Sequence, residues 1–272
     1  MLVDSHAHLD FVDDLKELLD RANGAGVSKI VTIGTSIECS KKCIEIAEKY
    51  SSDDLQIYAT CGIHPEDGKA DVGKYGDQLM SELGKVAKSS KKVVGIGECG
   101  LDYFLDSSGQ RPDTSEQEKQ FQRKLFGEQI RLAADLDLPL VVHCRNGWGE
   151  IFDLISKSQA SNSKLCGVFH SWTGNVEAMD KALNLGFYIS FSGIVTFKNA
   201  KDIQEVARKA PNGQVLVETD SPFLSPESLR GKKNAPENVR IIASFLSKIR
   251  NQSFDDIVTA TSSCAQKLFN LW

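Results

Sequence analysis

Leu2-Val3-Asp4-Ser5-His6-Ala7-His8 couples a short apolar, strand-like run to two histidines, and the coupling recurs along the chain. Ile57-Tyr58-Ala59-Thr60-Cys61-Gly62-Ile63-His64, Leu140-Val141-Val142-His143 and Cys166-Gly167-Val168-Phe169-His170 end the same way, so these four runs account for all 5 histidines. Two further runs end in carboxylates: Val93-Val94-Gly95-Ile96-Gly97-Glu98 and Val215-Leu216-Val217-Glu218-Thr219-Asp220. Strand ends bearing imidazole and carboxylate become a metal-ligand set once a fold gathers them.

Outward from these runs, β-rich segments fall near 2–6, 29–34, 56–61, 92–97, 139–143, 166–170, 187–192 and 215–219. Helix-period segments fill the gaps: 12–25, 37–50, 76–88, 115–136, 149–156, 176–185, 200–209, and a pair near 235–250 and 253–270. Strand then helix, eight times over, predicts an α/β TIM (β/α)8 barrel rather than an open sheet. A length of 272 residues suits one such barrel, so residues 1–272 are expected to form a single domain. There is no internal repeat, low-complexity segment or linker. The polar stretch 106–115 reads as a surface loop on the side of Glu98, a tolerated insertion rather than a lid.

With 41% hydrophobic and 25% charged residues the composition is globular, and no apolar stretch approaches the roughly 20 residues of a membrane helix. His6 and His8 lie so early that a cleaved secretion signal is not expected. The 7 cysteines, without a Cys-x-x-Cys pair, argue against a disulfide framework or zinc knuckle and point to the cytoplasm. A monomer is expected, with no membrane partner. A net charge of −5 repels polyanions, so any nucleic-acid role must rest on a local patch or on bound cations.

In a parallel barrel every strand ends on one rim. His6, His8, Glu98, His143, His170 and Asp220 therefore converge as candidate metal ligands. His6 and His8 project to one face, about 6.6 Å apart along the backbone. Alone, such a pair is as readily packing as ligation; four further strand-end ligands tip the balance. Six ligands exceed what one zinc uses, so two divalent cations bridged by Glu98 are the economical solution. Zn²⁺, Mn²⁺, Co²⁺ and Mg²⁺ all suit mixed histidine and carboxylate ligation. Glu98, Asp220 and His64 are the candidate catalytic residues. His64, before Pro65, reads as a substrate contact or as a satisfied loop residue. Glu218 reads as support or interior pairing, and Asp4 and Asp102 as support or capping. Cys99 and Cys144 alternate away from the ligand face, and Cys39 and Cys43 fit helix packing. Arg145 follows His143 by two positions, and Arg230, Lys232 and Lys233 follow the eighth strand. They are candidate phosphate contacts, although the charge run also fits a solvated loop.

Asp4-Ser5-His6-Ala7-His8-Leu9-Asp10, Gly62-Ile63-His64-Pro65, Gly97-Glu98-Cys99-Gly100-Leu101-Asp102-Tyr103, His143-Cys144-Arg145, His170-Ser171-Trp172-Thr173-Gly174 and Glu218-Thr219-Asp220-Ser221-Pro222 resemble, in order, the motifs of TatD-family metal-dependent deoxyribonucleases. The resemblance runs from residue 2 to about 269. It implies an amidohydrolase-like barrel with His6, His8, Glu98 and Asp220 around one metal and Glu98, His143 and His170 around the other. It also implies cleavage of DNA, commonly 3′-to-5′ on single-stranded or frayed ends and sometimes at abasic sites, with His64 and Arg145 near substrate. The chain departs from the family pattern at Cys99, within His170-Ser171-Trp172-Thr173-Gly174 and at Ser262-Ser263-Cys264, and none of these departures removes a ligand.

The leading expectation is thus a two-metal deoxyribonuclease. The runner-up is a barrel hydrolase of another ester such as aminoacyl-tRNA, of an amide, or of a phosphomonoester. The basic set Arg145, Arg230, Lys232 and Lys233 favours the first, because a neutral ester or amide would not need it. A non-catalytic binding barrel is a third reading, disfavoured by the complete ligand set.

Overall fold

A computed structural model describes residues 1–104, 113–160 and 164–271. Eight parallel strands run in sequence order around one sheet: β1 Leu2–Ala7, β2 Val27–Thr32, β3 Gln56–Cys61, β4 Val93–Asp102, β5 Leu140–Arg145, β6 Gly167–Phe169, β7 Tyr188–Phe191 and β8 Val215–Val217. The sheet curls until its edges meet. Ala7 bridges Ser221, and the amides of His8 and Asp220 donate to Ser221 and His6 carbonyls at 2.7 and 2.8 Å. The barrel is therefore nearly closed at the rim that carries the histidines.

Helices return the chain between strands: α1 Leu15–Gly24, α2 Ile37–Tyr50, α3 Gly68–Tyr75, α4 Leu79–Lys88, α5 Glu116–Leu136, α6 Trp148–Gln159, α7 Val176–Asn184, α8 Lys201–Lys209, α9 Val239–Arg250 and α10 Phe254–Phe269. Local chemistry sets their starts. Ser36 and Ser253 each accept an amide three residues on, and Ser115 and Glu118 form a reciprocal capping box at the head of α5.

The core has two layers, as a barrel requires. Outside the sheet, Ile30, Ile57, Ile96, Leu140, Phe169 and Val217 pack against the apolar faces of the helices. Inside, Val3, Val31, Val94, Val141, Val168, Tyr188 and Leu216 meet Leu268 and Phe269 of α10. Because Ser262 of α10 donates to the carbonyl of Met1 at 2.9 Å, α10 stoppers the end where the strands begin. The opposite end, where the strands finish, is left for chemistry. Cys264 belongs to this stopper, and Cys99 lies in the outer layer with Cys144 packed against it.

Two elements differ from the sequence expectation. β4 runs to Asp102 rather than stopping near 97, so Glu98 lies within a strand. Gly97 and Gly100 gave that run the look of an ending. Both have positive φ, and a Cβ at Gly100 would strike the His143 carbonyl of β5, so glycine here permits close strand approach. Helix α3 was not expected, because Gly68-Lys69-Ala70-Asp71-Val72-Gly73-Lys74-Tyr75 has two glycines and almost no apolar stripe. Of the polar stretch 106–115, residues 106–112 lie outside the described residues.

No helix of the described residues is long and apolar enough to cross a membrane, and all seven cysteines are free thiols.

Candidate metal centre

His6, on buried β1, and His8, just past its end, turn their Nε2 atoms to within 3.3 Å of each other. Asp220 enters from the β8 end in a left-handed backbone conformation (φ 57°), which short polar side chains tolerate. Its Oδ1 lies 3.4 Å from His6 Nε2 and 3.3 Å from His8 Nε2. Glu98 completes the set, with Oε2 3.4 and 3.8 Å from the same nitrogens.

The other carboxylate oxygen of Glu98 faces a different group. Oε1 is 2.9 Å from His143 Nδ1 and 2.9 Å from His170 Nε2, which are 3.1 Å apart. His64 approaches the same oxygen at 3.6 Å through Nε2. Glu98 thus straddles two donor groups.

The spacings fit metal ions. With bonds near 2.1 Å, ligand atoms are separated by about 3.4 Å in a tetrahedral site and about 3.0 Å in an octahedral one. The His6, His8, Asp220 set matches the first value and the His143, His170 pair the second. His6, His8 and Asp220 crowd to within 3.4 Å of one another, although His6 and Glu98 are almost wholly buried. Such an array is stable only if protons or cations neutralise it.

Supporting residues aim the ligands. Asp102 Oδ2 lies 3.0 Å from His143 Nε2, and Glu218 Oε1 lies 3.4 Å from His170 Nδ1 while accepting the Ser171 amide at 2.7 Å. Each carboxylate favours the tautomer that leaves the inward nitrogen free as a donor to metal. Asp4 accepts both the amide and the hydroxyl of Thr219, at 2.8 and 2.6 Å, and so ties β1 to the segment bearing Asp220. Burial raises its pKa to about 8 despite those bonds. Nδ1 of His6 and of His8 finds no partner among the described residues.

The electrostatics show histidines and carboxylates holding one another in charged forms. Burial opposes a charged His8, but the hydrogen bond and charge of Asp220, with Glu98, outweigh it and lift the pKa to about 9. Burial likewise disfavours an ionised Glu98, yet the charge of His170 and three histidine hydrogen bonds hold it well below the usual carboxylate range. His64 differs: burial lowers it to about 4, so it is neutral near pH 7. Its Nδ1 accepts the Glu66 amide at 3.3 Å, which leaves the proton on Nε2, pointing at the cluster.

The basic candidates divide. Arg145 is half exposed beside the centre, with Nη1 3.8 Å from Asp102 and its guanidinium 4.9 Å over the Phe104 ring. Arg230 lies 4.4 Å over the Phe197 ring and 3.6 Å from Glu227. Lys232 and Lys233 are exposed, on a loop pinned to the β8 end by Asn234, whose Nδ2 donates to the Thr219 and Phe223 carbonyls at 2.8 Å. Trp172, where the motif departs from its family, is buried against Trp148 and Phe169, with Nε1 donating to Gly174 at 2.7 Å. That departure concerns packing. Sequence reasoning overlooked Phe11 and Phe223, whose rings lie 6.0 and 5.8 Å from that of His8. Each directly follows a ligand motif, which is the signal that could have found them.

A parallel barrel with a histidine and carboxylate ligand set on its C-terminal rim is the architecture of the amidohydrolase-type metallohydrolases. Residues 3–270 match the family described as TatD related DNase. The chain is 35% identical over 274 residues to the uncharacterized metal-dependent hydrolase YabD of Bacillus subtilis (strain 168), covering 100% of both chains. It is 31% identical to the uncharacterized metal-dependent hydrolase YcfH of Escherichia coli (strain K12), over 99% of this chain and 96% of that one. The crystal structure of YjjV, a TatD homolog from Escherichia coli K12, aligns with a TM-score of 0.86 at 28% identity, over 99% of this chain and 98% of that one. The chain belongs to the TatD family of metal-dependent hydrolases.

Proposed function

We propose that this protein hydrolyses DNA phosphodiester bonds with two divalent cations, as a 3′-to-5′ exonuclease on single-stranded or frayed ends and at abasic sites. The observation that carries the reading is Glu98, whose two oxygens face two separate donor groups, 2.9 Å from His143 and His170 on one side and 3.4 Å from His6 on the other. Two cations, when bound, would polarise a phosphoryl oxygen, lower the pKa of water and neutralise the departing oxygen.

The chain's own residues do the rest. His6, His8, Asp220 and Glu98 Oε2 would hold one cation; His143 Nδ1, His170 Nε2 and Glu98 Oε1 would hold the other. Asp102 and Glu218 fix the imidazole tautomers. His64, kept as an Nε2–H donor by the Glu66 amide, offers a hydrogen bond to a substrate oxygen. Arg145, half exposed and stacked on Phe104, suits an adjacent phosphate. Arg230, Lys232 and Lys233 extend that basic set along the loop after β8.

The test is incubation with 3′- and 5′-labelled single-stranded, duplex and abasic oligonucleotides, with and without Zn²⁺, Mn²⁺, Co²⁺ or Mg²⁺. Aminoacyl-tRNA and a phosphomonoester serve as competing substrates. Metal-dependent shortening from the 3′ end supports the reading; hydrolysis confined to a competing substrate replaces it.

A further inference from the structure

Among the described residues, the large apolar side chains left exposed are Met1, Phe11 and Phe223, at 83%, 55% and 49%. Two of these three stand together. The Phe11 and Phe223 rings are 5.8 Å apart at 69°, and each meets the ring of His8 edge to face. A single exposed phenylalanine needs no explanation, but two brought together from opposite ends of the chain, against a candidate metal ligand, do.

Neither ring sits on loose backbone. Phe11 ends a 3-10 turn, Leu9–Phe11, that grows directly out of β1, and its amide donates to the His8 carbonyl at 3.4 Å. The Phe223 amide donates to the Asp220 carbonyl at 2.9 Å, and its own carbonyl accepts from Asn234. The rings are thus presented in a fixed V at the mouth without being buried, an arrangement set for an occupant that is flat and apolar on its faces. The neighbouring groups set what that occupant carries. His6, His8 and Asp220 would hold a cation beneath the V, so the occupant has an anionic group next to its flat part.

We propose that Phe11 and Phe223 form a stacking subsite for the nucleobase adjoining the phosphate at the metal centre, an inference that rests on the nuclease reading. Every base has a π-face, so such a subsite grips single strands with little regard to sequence, and it excludes a paired base whose faces are already covered. It makes an unpaired end the preferred substrate.

Two single-stranded oligonucleotides test the subsite, identical except that the second carries abasic tetrahydrofuran residues at its terminal positions. On the base-bearing strand, Phe11→Ala and Phe223→Ala are each expected to raise KM about 10-fold, the scale of one lost stacking contact. On the abasic strand the rise is expected to be several-fold smaller, and Phe→Tyr at either position restores KM. A 2-aminopurine at the strand terminus, titrated with protein in excess chelator, is expected to lose fluorescence with the parent and to keep it with the double alanine variant.

Equal losses on both strands, or quenching undiminished in the double variant, overturn the subsite. So does a parent dimer that light scattering shows to dissociate in the alanine variants, which would assign the rings to a second copy of the chain. Quenching by a parent that cleaves neither strand supports the base site while overturning the nuclease reading. Absence of both quenching and cleavage overturns the two together.

Discussion

Asp102 Oδ2 lies 3.0 Å from His143 Nε2, while the other nitrogen of the same ring lies 2.9 Å from Glu98. The carboxylate at the far end of β4 thereby decides which imidazole nitrogen faces the centre. Asp102→Asn keeps the volume but removes the charge that holds the Nε2 proton, and its amide can offer a hydrogen to that nitrogen instead. Turnover is expected to fall about 10- to 100-fold, the range found when the partner of a metal-bound histidine is lost. Metal titration checks the cause: one class of site weakens and the other is retained.

Glu98→Gln acts on both donor groups at once. It removes the charge shared between them with almost no change in volume, so the fold is expected to survive as judged by circular dichroism. Activity is expected to fall at least ~100-fold, and excess chelator is expected to do the same to the parent. Asp220→Asn removes a charge from the His6 and His8 side alone and carries the same expectation for rate. Full nuclease activity under chelation or in either variant would falsify the two-cation mechanism.

For His64 the expectation is a split between two readouts. Its Nδ1 is engaged by the Glu66 amide, so Nε2 bears the proton and cannot bind metal in that tautomer. His64→Ala is then expected to lower turnover at least ~100-fold, the scale of a lost general acid or hydrogen-bond donor at the reacting group. Elemental analysis is expected to find the metal content of the parent. Loss of a metal equivalent would place His64 among the ligands instead.

What was legible in the sequence followed from strand geometry. Parallel barrel strands are buried on both faces, so Leu140-Val141-Val142 and Val215-Leu216-Val217 announce themselves as unbroken apolar runs, and the polar residue that interrupts each run marks the rim. The full length of β4 escaped because Gly97 and Gly100 resemble punctuation, yet they are there to let β5 approach. That Glu98 is ligand and Asp102 support was legible, but that both lie on one strand was not. Phe11 and Phe223 escaped because no periodicity governs residues in turns. Their meaning lies in a contact between the β1 and β8 ends that only barrel closure creates.

On the proposed nuclease reading, an acidic protein must concentrate its recognition of a polyanion on a few positions. With a net charge of −5 the field of the whole molecule repels a polyanion. Arg230 is already stacked on Phe197 and paired with Glu227, and Arg145 leans on Phe104 near Asp102. Lys232 and Lys233 are exposed with no side-chain partner among the described residues, so they are the cations free to meet phosphate at no cost in broken ion pairs. Few phosphate contacts release few counterions. On single-stranded DNA the logarithm of affinity is therefore expected to fall with the logarithm of salt at a slope of about −2 to −3, counting roughly 0.7 per contact, far from the near −10 of an extensive DNA binder. Reversing Lys232 and Lys233 to glutamate is expected to raise KM and flatten the slope by a unit or more, with little change in kcat, because a side chain that holds substrate equally in ground and transition states contributes only to binding. Steady-state kinetics at a series of salt concentrations measures both. A steep slope in the parent, or charge reversal without effect on DNA cleavage, would move the assignment toward a smaller or less charged substrate.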